Sequence, residues 1–104
     1  MNKVIEIGRL TKDPEIRFTQ SNIAVCNFTI AVNKKDGVNF FDCVVWREQA
    51  SNLVKYQSKG SLIGIFGELD TNEYVKGGKT IKQVFINVFE IDYLDSKKKE
   101  EKND

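Results

Sequence analysis

Histidine is missing altogether from this chain of 104 residues. Its absence removes the Ser-His-Asp and Cys-His arrangements that activate a nucleophile, and with them the commonest zinc ligand. Cysteine is scarce too. Cys26 and Cys43 are too few for a structural zinc site in one chain, and each sits inside an apolar run. That placement fits buried thiols in a reducing cytoplasm better than a secreted disulfide scaffold. Neither sign of charge dominates: 16 basic residues face 15 acidic ones, for a net charge of +1. Attraction to a polyanion must therefore come from a local arrangement of lysines and arginines. No apolar run approaches the length of a membrane span, and Glu6, Arg9 and Lys12 interrupt the N-terminal segment, which argues against a secretory signal. Gly77-Gly78 reads as a turn and Gly60-Ser61 lacks the rest of a phosphate-binding loop. The carboxylates of Asp42, Glu68 and Asp70 show no metal-ligand spacing. Neither catalysis nor a cofactor is expected.

What is present is one domain's worth of β pattern. A hydrophobic content of 40% suffices for a single core, with a stability margin thin enough for partner chains to matter. Val4 to Leu10 is a β-rich run containing Gly8, a position suited to a bend or a close backbone approach. Asp13-Pro14 marks a turn. Ile16 to Thr19 reads as a short extended piece, and a long β-rich run follows from Ile23 to Val32. Asp36-Gly37 between two such runs predicts a hairpin, with the next strand at Val38 to Trp46. Ala50, Leu53, Val54 and Gln57 then recur at helical spacing, and three of the four are apolar, so one stripe can face a core. Gly60 suits the left-handed residue that ends a helix. Ser61 to Leu69 reads as another strand, with Gly64 and Gly67 permitting curvature, and Asp70 to Lys76 with Lys79 to Leu94 form a long hairpin about Gly77-Gly78.

These elements predict an all-β fold: a five-stranded OB-fold barrel with one helix between strands 3 and 4 and a long hairpin between strands 4 and 5. The alternatives are an SH3-like barrel or a small sandwich, neither of which readily explains the helix. The domain is expected over residues 1–94. Residues 95–104, Asp95-Ser96-Lys97-Lys98-Lys99-Glu100-Glu101-Lys102-Asn103-Asp104, hold no apolar residue and read as a short charged disordered tail.

Side chains alternate along a strand, so Phe40, Asp42, Val44 and Trp46 share one face of their strand while Phe41, Cys43 and Val45 share the other. The second set is wholly apolar and suits the barrel interior. The first carries a carboxylate and is expected to be wet, with two large aromatics on it. Two readings stand. The rings stack on nucleobases, each worth about 1–3 kcal/mol whatever the sequence, or they cover an apolar patch or a subunit contact. Tyr74 shares phase with Asp70, Asn72 and Lys76 on the long hairpin, with Lys79 and Lys82 on the return arm. Such a hairpin either clamps a strand, cations on phosphates and ring on a base, or is a solvated hairpin stapled by its tyrosine. Arg9, Arg17, Lys34, Lys35, Arg47, Lys55, Lys59, Lys76, Lys79 and Lys82 are the phosphate-contact candidates, Arg47 foremost because it adjoins Trp46.

Several phrases together resemble the bacterial single-stranded DNA-binding protein family. They are Asn2-Lys3-Val4-Ile5-Glu6-Ile7-Gly8-Arg9-Leu10, Lys12-Asp13-Pro14-Glu15-Ile16-Arg17-Phe18, Phe28-Thr29-Ile30-Ala31-Val32-Asn33, Phe41-Asp42-Cys43-Val44-Val45-Trp46, Lys59-Gly60-Ser61-Leu62 and Gly67-Glu68-Leu69. They run in order from residue 2 to about residue 93. The resemblance implies an OB domain in a homotetramer that wraps single-stranded DNA without sequence preference in replication, recombination and repair. It also implies a cytoplasmic location, and base-stacking rings at Phe40, Trp46 and Tyr74. A further stacking position of the family, in the loop after the second strand, has no aromatic counterpart in the short loop Lys34-Lys35-Asp36-Gly37. The Gly/Gln-rich linker and acidic Pro-Phe tip through which chromosomal members recruit other proteins have no counterpart either, which suggests a phage-encoded, plasmid-encoded or specialised form. The alternatives are an OB-fold module that binds RNA or docks proteins and, more remotely, a small hydrolase.

Overall fold

A computed structural model describes residues 1–95. The elements in chain order are β1 (Val4–Leu10), β2 (Arg17–Phe18), β3 (Ala24–Lys34), β4 (Gly37–Trp46), α1 (Arg47–Tyr56), β5 (Leu62–Lys76) and β6 (Lys79–Tyr93). The strands hydrogen-bond in the order β1-β5-β6-β4-β3-β2, and β1 also pairs with β3 through Arg9–Ala31 and Leu10–Ile30. That extra pairing closes five strands into a ring, with two-residue β2 appended to β3. With β2 set aside, this is the expected five-stranded barrel, its helix between the third and fourth long strands.

The interior is filled by the inward members of each alternating strand. Leu10, Cys26, Phe28, Ile30, Cys43, Val45, Ile63, Ile65, Ile86, Val88 and Ile91 form one cluster with Ala50 and Leu53 of α1, which plugs the barrel from one end. Closure forces backbones together where a side chain would not fit. A Cβ on Gly8 would lie 2.7 Å from the Ala31 carbonyl oxygen, where β1 crosses to β3. A Cβ on Gly67 would run into the Asn87 carbonyl, at the register shift between Phe66 and Gly67. That shift inserts Phe89 into β6 and bends the β5–β6 pair.

Three local expectations are revised. The β3–β4 turn centres on Lys35-Asp36 and is closed by the Lys34–Gly37 pair. Neither central residue takes a positive φ, so the Asp-Gly register is one residue away from the turn actually used. Helix α1 starts at Arg47, earlier than its apolar spacing marks, because Trp46 provides an extended cap without a side-chain cap bond. It ends at Tyr56, with the Gln57 N–H closing onto the Leu53 carbonyl at 3.0 Å. Gly60 does have a left-handed φ of 90°, but it lies beyond the helix end, where its N–H donates to the Leu10 carbonyl.

Beyond the barrel, β5 and β6 run on as a long hairpin whose outer half is solvent-exposed on both faces. The Lys76–Lys79 pair closes it around Gly77 and Gly78, with φ of 59° and 78°, the left-handed values a two-residue turn of this hand requires.

Candidate nucleic-acid interface

The register of the strands determines which side chains share the outer surface. On β4 the outward set is Phe40, Asp42, Val44 and Trp46; their β3 partners are Ala31, Thr29, Asn27 and Val25. The parallel contact between β4 and β6 sets Val44 beside Asn87. On the hairpin Glu68 pairs with Asn87, Asp70 with Phe85, Asn72 with Gln83 and Tyr74 with Ile81. Opposed residues of a ladder project to the same side. One continuous face therefore runs from β3 across β4 and β6 to the inner flank of the hairpin, and Tyr74 lies on it with Trp46 and Phe40.

This face is concave. A groove of about 450 Å³ is lined by Lys12, Arg17, Asn27, Thr29, Asp42, Val44, Trp46, Asn72, Gln83 and Phe85, with Phe28 and Cys43 beneath. Its polar groups are held in place. The Arg17 guanidinium donates to Asn27 Oδ1 through Nε and Nη2 at 3.1 and 2.7 Å. The Thr29 hydroxyl donates to Asp42 Oδ1 at 3.0 Å. Trp46 Nε1 donates to Asn87 Oδ1 at 3.3 Å, so the indole is oriented while its body stays open. Phe40, Trp46 and Tyr74 are 66%, 40% and 47% exposed, so in the single chain none of the three rings is packed into the interior. Val44, expected to be wet, is buried instead: flanked by Asn27 and Asn87, it forms the groove floor.

The basic candidates separate by position. Arg17 lines the groove, and Lys12, which sequence reasoning passed over, joins it. Arg47 follows Trp46 directly, is exposed, and takes a left-handed φ of 62°. Lys34 and Lys35 sit at the β3–β4 tip, beyond Phe40. Lys76 and Lys79 face each other on the Tyr74 side of the hairpin tip, whereas Lys82 opposes Glu73 on the reverse side. Arg9 is engaged elsewhere: Nη1 donates to the Gly60 carbonyl at 2.8 Å and pairs with Asp95 at 3.3 Å. Lys55 lies over the Tyr56 ring at 5.2 Å, and the Lys59 N–H donates to Asp13 Oδ1 at 2.7 Å; neither lysine lines the groove. Sequence reasoning also missed Asn27, Gln83 and Phe85. The alternation of β3 marked Asn27 as outward, but only the strand register unites it with the hairpin.

Beneath the groove, burial pushes the Cys43 thiol up to about 12, helped by the nearby charge of Asp42. Burial raises the Cys26 thiol as well. Both cysteines are free. Among the described residues no group of His, Cys, Asp and Glu is placed to hold a metal ion, and no helix is long and apolar enough to cross a membrane.

Residues 1–94 match the model of the single-strand binding protein family. The chain belongs to that family. Its members are DNA-binding proteins rather than enzymes, and the closed barrel is the OB-fold the family implies. Among curated relatives, the single-stranded DNA-binding protein of Bacillus cereus is 44% identical over a stretch covering 83% of this chain and 54% of the relative. Single-stranded DNA-binding protein 3 of Listeria innocua is 42% identical, covering 93% of this chain and 66% of the relative. Single-stranded DNA-binding protein 1 of Lactococcus lactis is 47% identical, covering 71% and 54%. The chain spans about half the length of several curated relatives it matches. The expected tail beyond Asp95 lies outside the described residues.

Proposed function

We propose that this chain binds single-stranded DNA without regard to base order, with bases stacked on Phe40, Trp46 and Tyr74. In this reading Arg17, Lys12, Arg47, Lys76 and Lys79 meet the phosphates, supported by their positions in the groove or on the Trp46 and Tyr74 side. The observation that carries this reading is the common face: three exposed rings, Phe40 and Trp46 on β4 and Tyr74 on β5, share one side of the sheet with a groove that Trp46, Arg17 and Lys12 line. Stacking contributes about 1–3 kcal/mol per base and tolerates any sequence, and phosphate contacts add a salt-dependent part. With a net charge of only +1, the aromatic share should be large and should survive moderate salt. Such a protein protects unpaired strand during replication, recombination and repair in the cytoplasm, where Cys26 and Cys43 remain thiols.

The proposed assembly is a homotetramer. Ile5 and Ile7 on β1 are 65% and 55% exposed, and Leu94 is 46% exposed. Leu94 and Ile7 close over Gly64, with Phe66 opposite Ile5 in the β1–β5 ladder. This apolar face lies on β1 and the first half of β5, away from the hairpin half of β5 that carries Asn72 and Tyr74, so copies can meet there without covering the rings.

Titration with oligothymidylate, read through the emission of Trp46, the single tryptophan, should give quenching at two salt concentrations. Absence of quenching together with absence of binding in an independent assay would overturn the proposal. Preference for RNA over DNA of equal length would redirect it to an RNA-binding module. Sedimentation of the free protein should show the tetramer, and a monomer would remove that part of the reading.

A further inference from the structure

Asp42 is the one acidic side chain among the residues lining the groove. A carboxylate is an odd component of a surface for phosphates, since it repels them and carries no donor. Its surroundings suggest what it does. Oδ1 already accepts the Thr29 hydroxyl, which fixes the rotamer and leaves Oδ2 unengaged. Asp42 is exposed, and it shares its face with Phe40 two residues before it and Trp46 four residues after it. Two residues of strand span about 7 Å, close to the length of a pyrimidine ring with its substituents. A base stacked on Phe40 and directed along β4 toward Trp46 reaches Asp42 with its edge.

The other groove side chains narrow the choice of edge. Asn27 Oδ1 is occupied by Arg17, which leaves the Asn27 amide as a donor. Asn87 Oδ1 is likewise occupied by Trp46. Asn72 and Gln83 carry neutral amides that can donate as well as accept, so Asp42 is the one charged, acceptor-only group in the groove lining. Acceptors of this kind pair with exocyclic amino groups, such as N4 of cytosine, and are opposed by the carbonyl O4 of thymine. Resting on the single-strand binding reading above, we propose that Asp42 makes the groove discriminate by base composition, favouring bases that present an amino group and cytosine over thymine. Binding remains indifferent to base order, because each stacked base is read alone.

The test measures the affinities of short oligodeoxycytidylate and oligothymidylate of equal length, at mildly alkaline pH where cytosine runs do not fold on themselves. The wild-type protein and Asp42→Asn are compared. Asparagine keeps the size and can still accept from Thr29, but it offers a donor as well. The cytosine-to-thymine affinity ratio should fall about fivefold to tenfold in the variant, the scale of one charge-assisted hydrogen bond. Affinity for oligothymidylate should rise, because repulsion of phosphate is relieved and the asparagine amide can donate to O4 of thymine. A second arm needs no variant: wild-type protein should bind an oligonucleotide of pyrimidin-2-one, which lacks only the amino group, about fivefold or more weakly than oligodeoxycytidylate. Binding of every oligonucleotide with an unchanged ratio and no loss on removing the amino group would overturn the assignment of Asp42 alone. Failure of all oligonucleotides to bind the wild-type protein would overturn the single-strand reading and this inference with it.

Discussion

Gln57 offers a direct test of how this small barrel is stabilised. It is 2% exposed at the C-terminal cap of α1, and its Oε1 has no hydrogen-bond partner among the described residues. Its backbone carries the useful bond, N–H to the Leu53 carbonyl at 3.0 Å, and that bond survives any side-chain replacement except proline. Removing a carbonyl oxygen from water without a partner costs about 1–3 kcal/mol. Gln57→Leu deletes the unsatisfied acceptor while keeping most of the volume, at the expense of any bond made by the amide nitrogen and some repacking. The net expectation is a gain of about 1 kcal/mol, or about 4–8 °C in Tm for a domain of this size. Urea unfolding at fixed protein concentration, since assembly itself adds stability, should show a higher midpoint with an unchanged slope. Gln57→Glu supplies the opposite sign, because it buries a charge in the same place, and should destabilise at neutral pH. A Gln57→Leu protein less stable than the parent would refute the reasoning and would mean that Oε1 is satisfied by an ordered water worth keeping.

Gly67→Ala should destabilise by about 2 kcal/mol or more, since the new methyl meets the Asn87 carbonyl at a bulge that cannot give without opening the β5–β6 ladder; a melting temperature equal to that of the parent would refute this. Trp46→Ala and Tyr74→Ala should each weaken oligothymidylate binding by about 1–3 kcal/mol without changing the dependence on salt, whereas Arg17→Ala should lower the slope of log K against log salt by about 0.7. Titrations across salt separate the two classes, and a ring variant that alters the slope would contradict the division of labour. Stability should also depend on alkaline pH. The Cys43 thiol ordinarily titrates near 9 and is raised to about 12 in the fold, and Cys26 is raised as well. Above about pH 9 the unfolded chain therefore releases thiol protons that the folded chain retains, so the contribution is intact below that pH and declines by up to about 1.4 kcal/mol per unit per thiol above it. Denaturant midpoints of the parent and of Cys26→Ala/Cys43→Ala should differ in slope above pH 9, and parallel profiles would refute the assignment.

What could be read from the chain in advance was governed by period-two alternation. Phe41, Cys43 and Val45 point inward and Phe40, Asp42 and Trp46 outward because a single pleated strand decides both sets, and no partner is needed to assign them. The groove itself depends on pairings that a local pattern does not contain. Val44 is outward by alternation yet buried, because β6 arrives in parallel beside it and sets Asn87 against its flank. Asn27, Gln83 and Phe85 come together only after β4 has joined β6. The start of α1 was hidden for a different reason: no Ser, Thr, Asp or Asn stands at the cap, where Trp46 takes the extended conformation and Arg47 the left-handed one.

The hairpin lies between these cases, and it shows how a small amount of register information becomes functional. Once Gly77-Gly78 is taken as a two-residue turn, pairing follows by counting outward: 76 with 79, 74 with 81, 73 with 82. That count alone puts Lys79 on the Tyr74 face and Lys82 on the reverse, so two lysines three residues apart meet different surroundings. The same parity carries down the hairpin through Asn72–Gln83 and Asp70–Phe85 to Glu68–Asn87, where the Asn87 amide receives the Trp46 indole N–H. A one-residue insertion in the Gly77-Gly78 turn would break this chain of parity on one arm. It would turn either Tyr74 on one arm or Ile81 and Gln83 on the other away from the groove side while leaving the barrel core beyond the hairpin unchanged. The turn is therefore as much a determinant of the proposed binding face as the rings themselves.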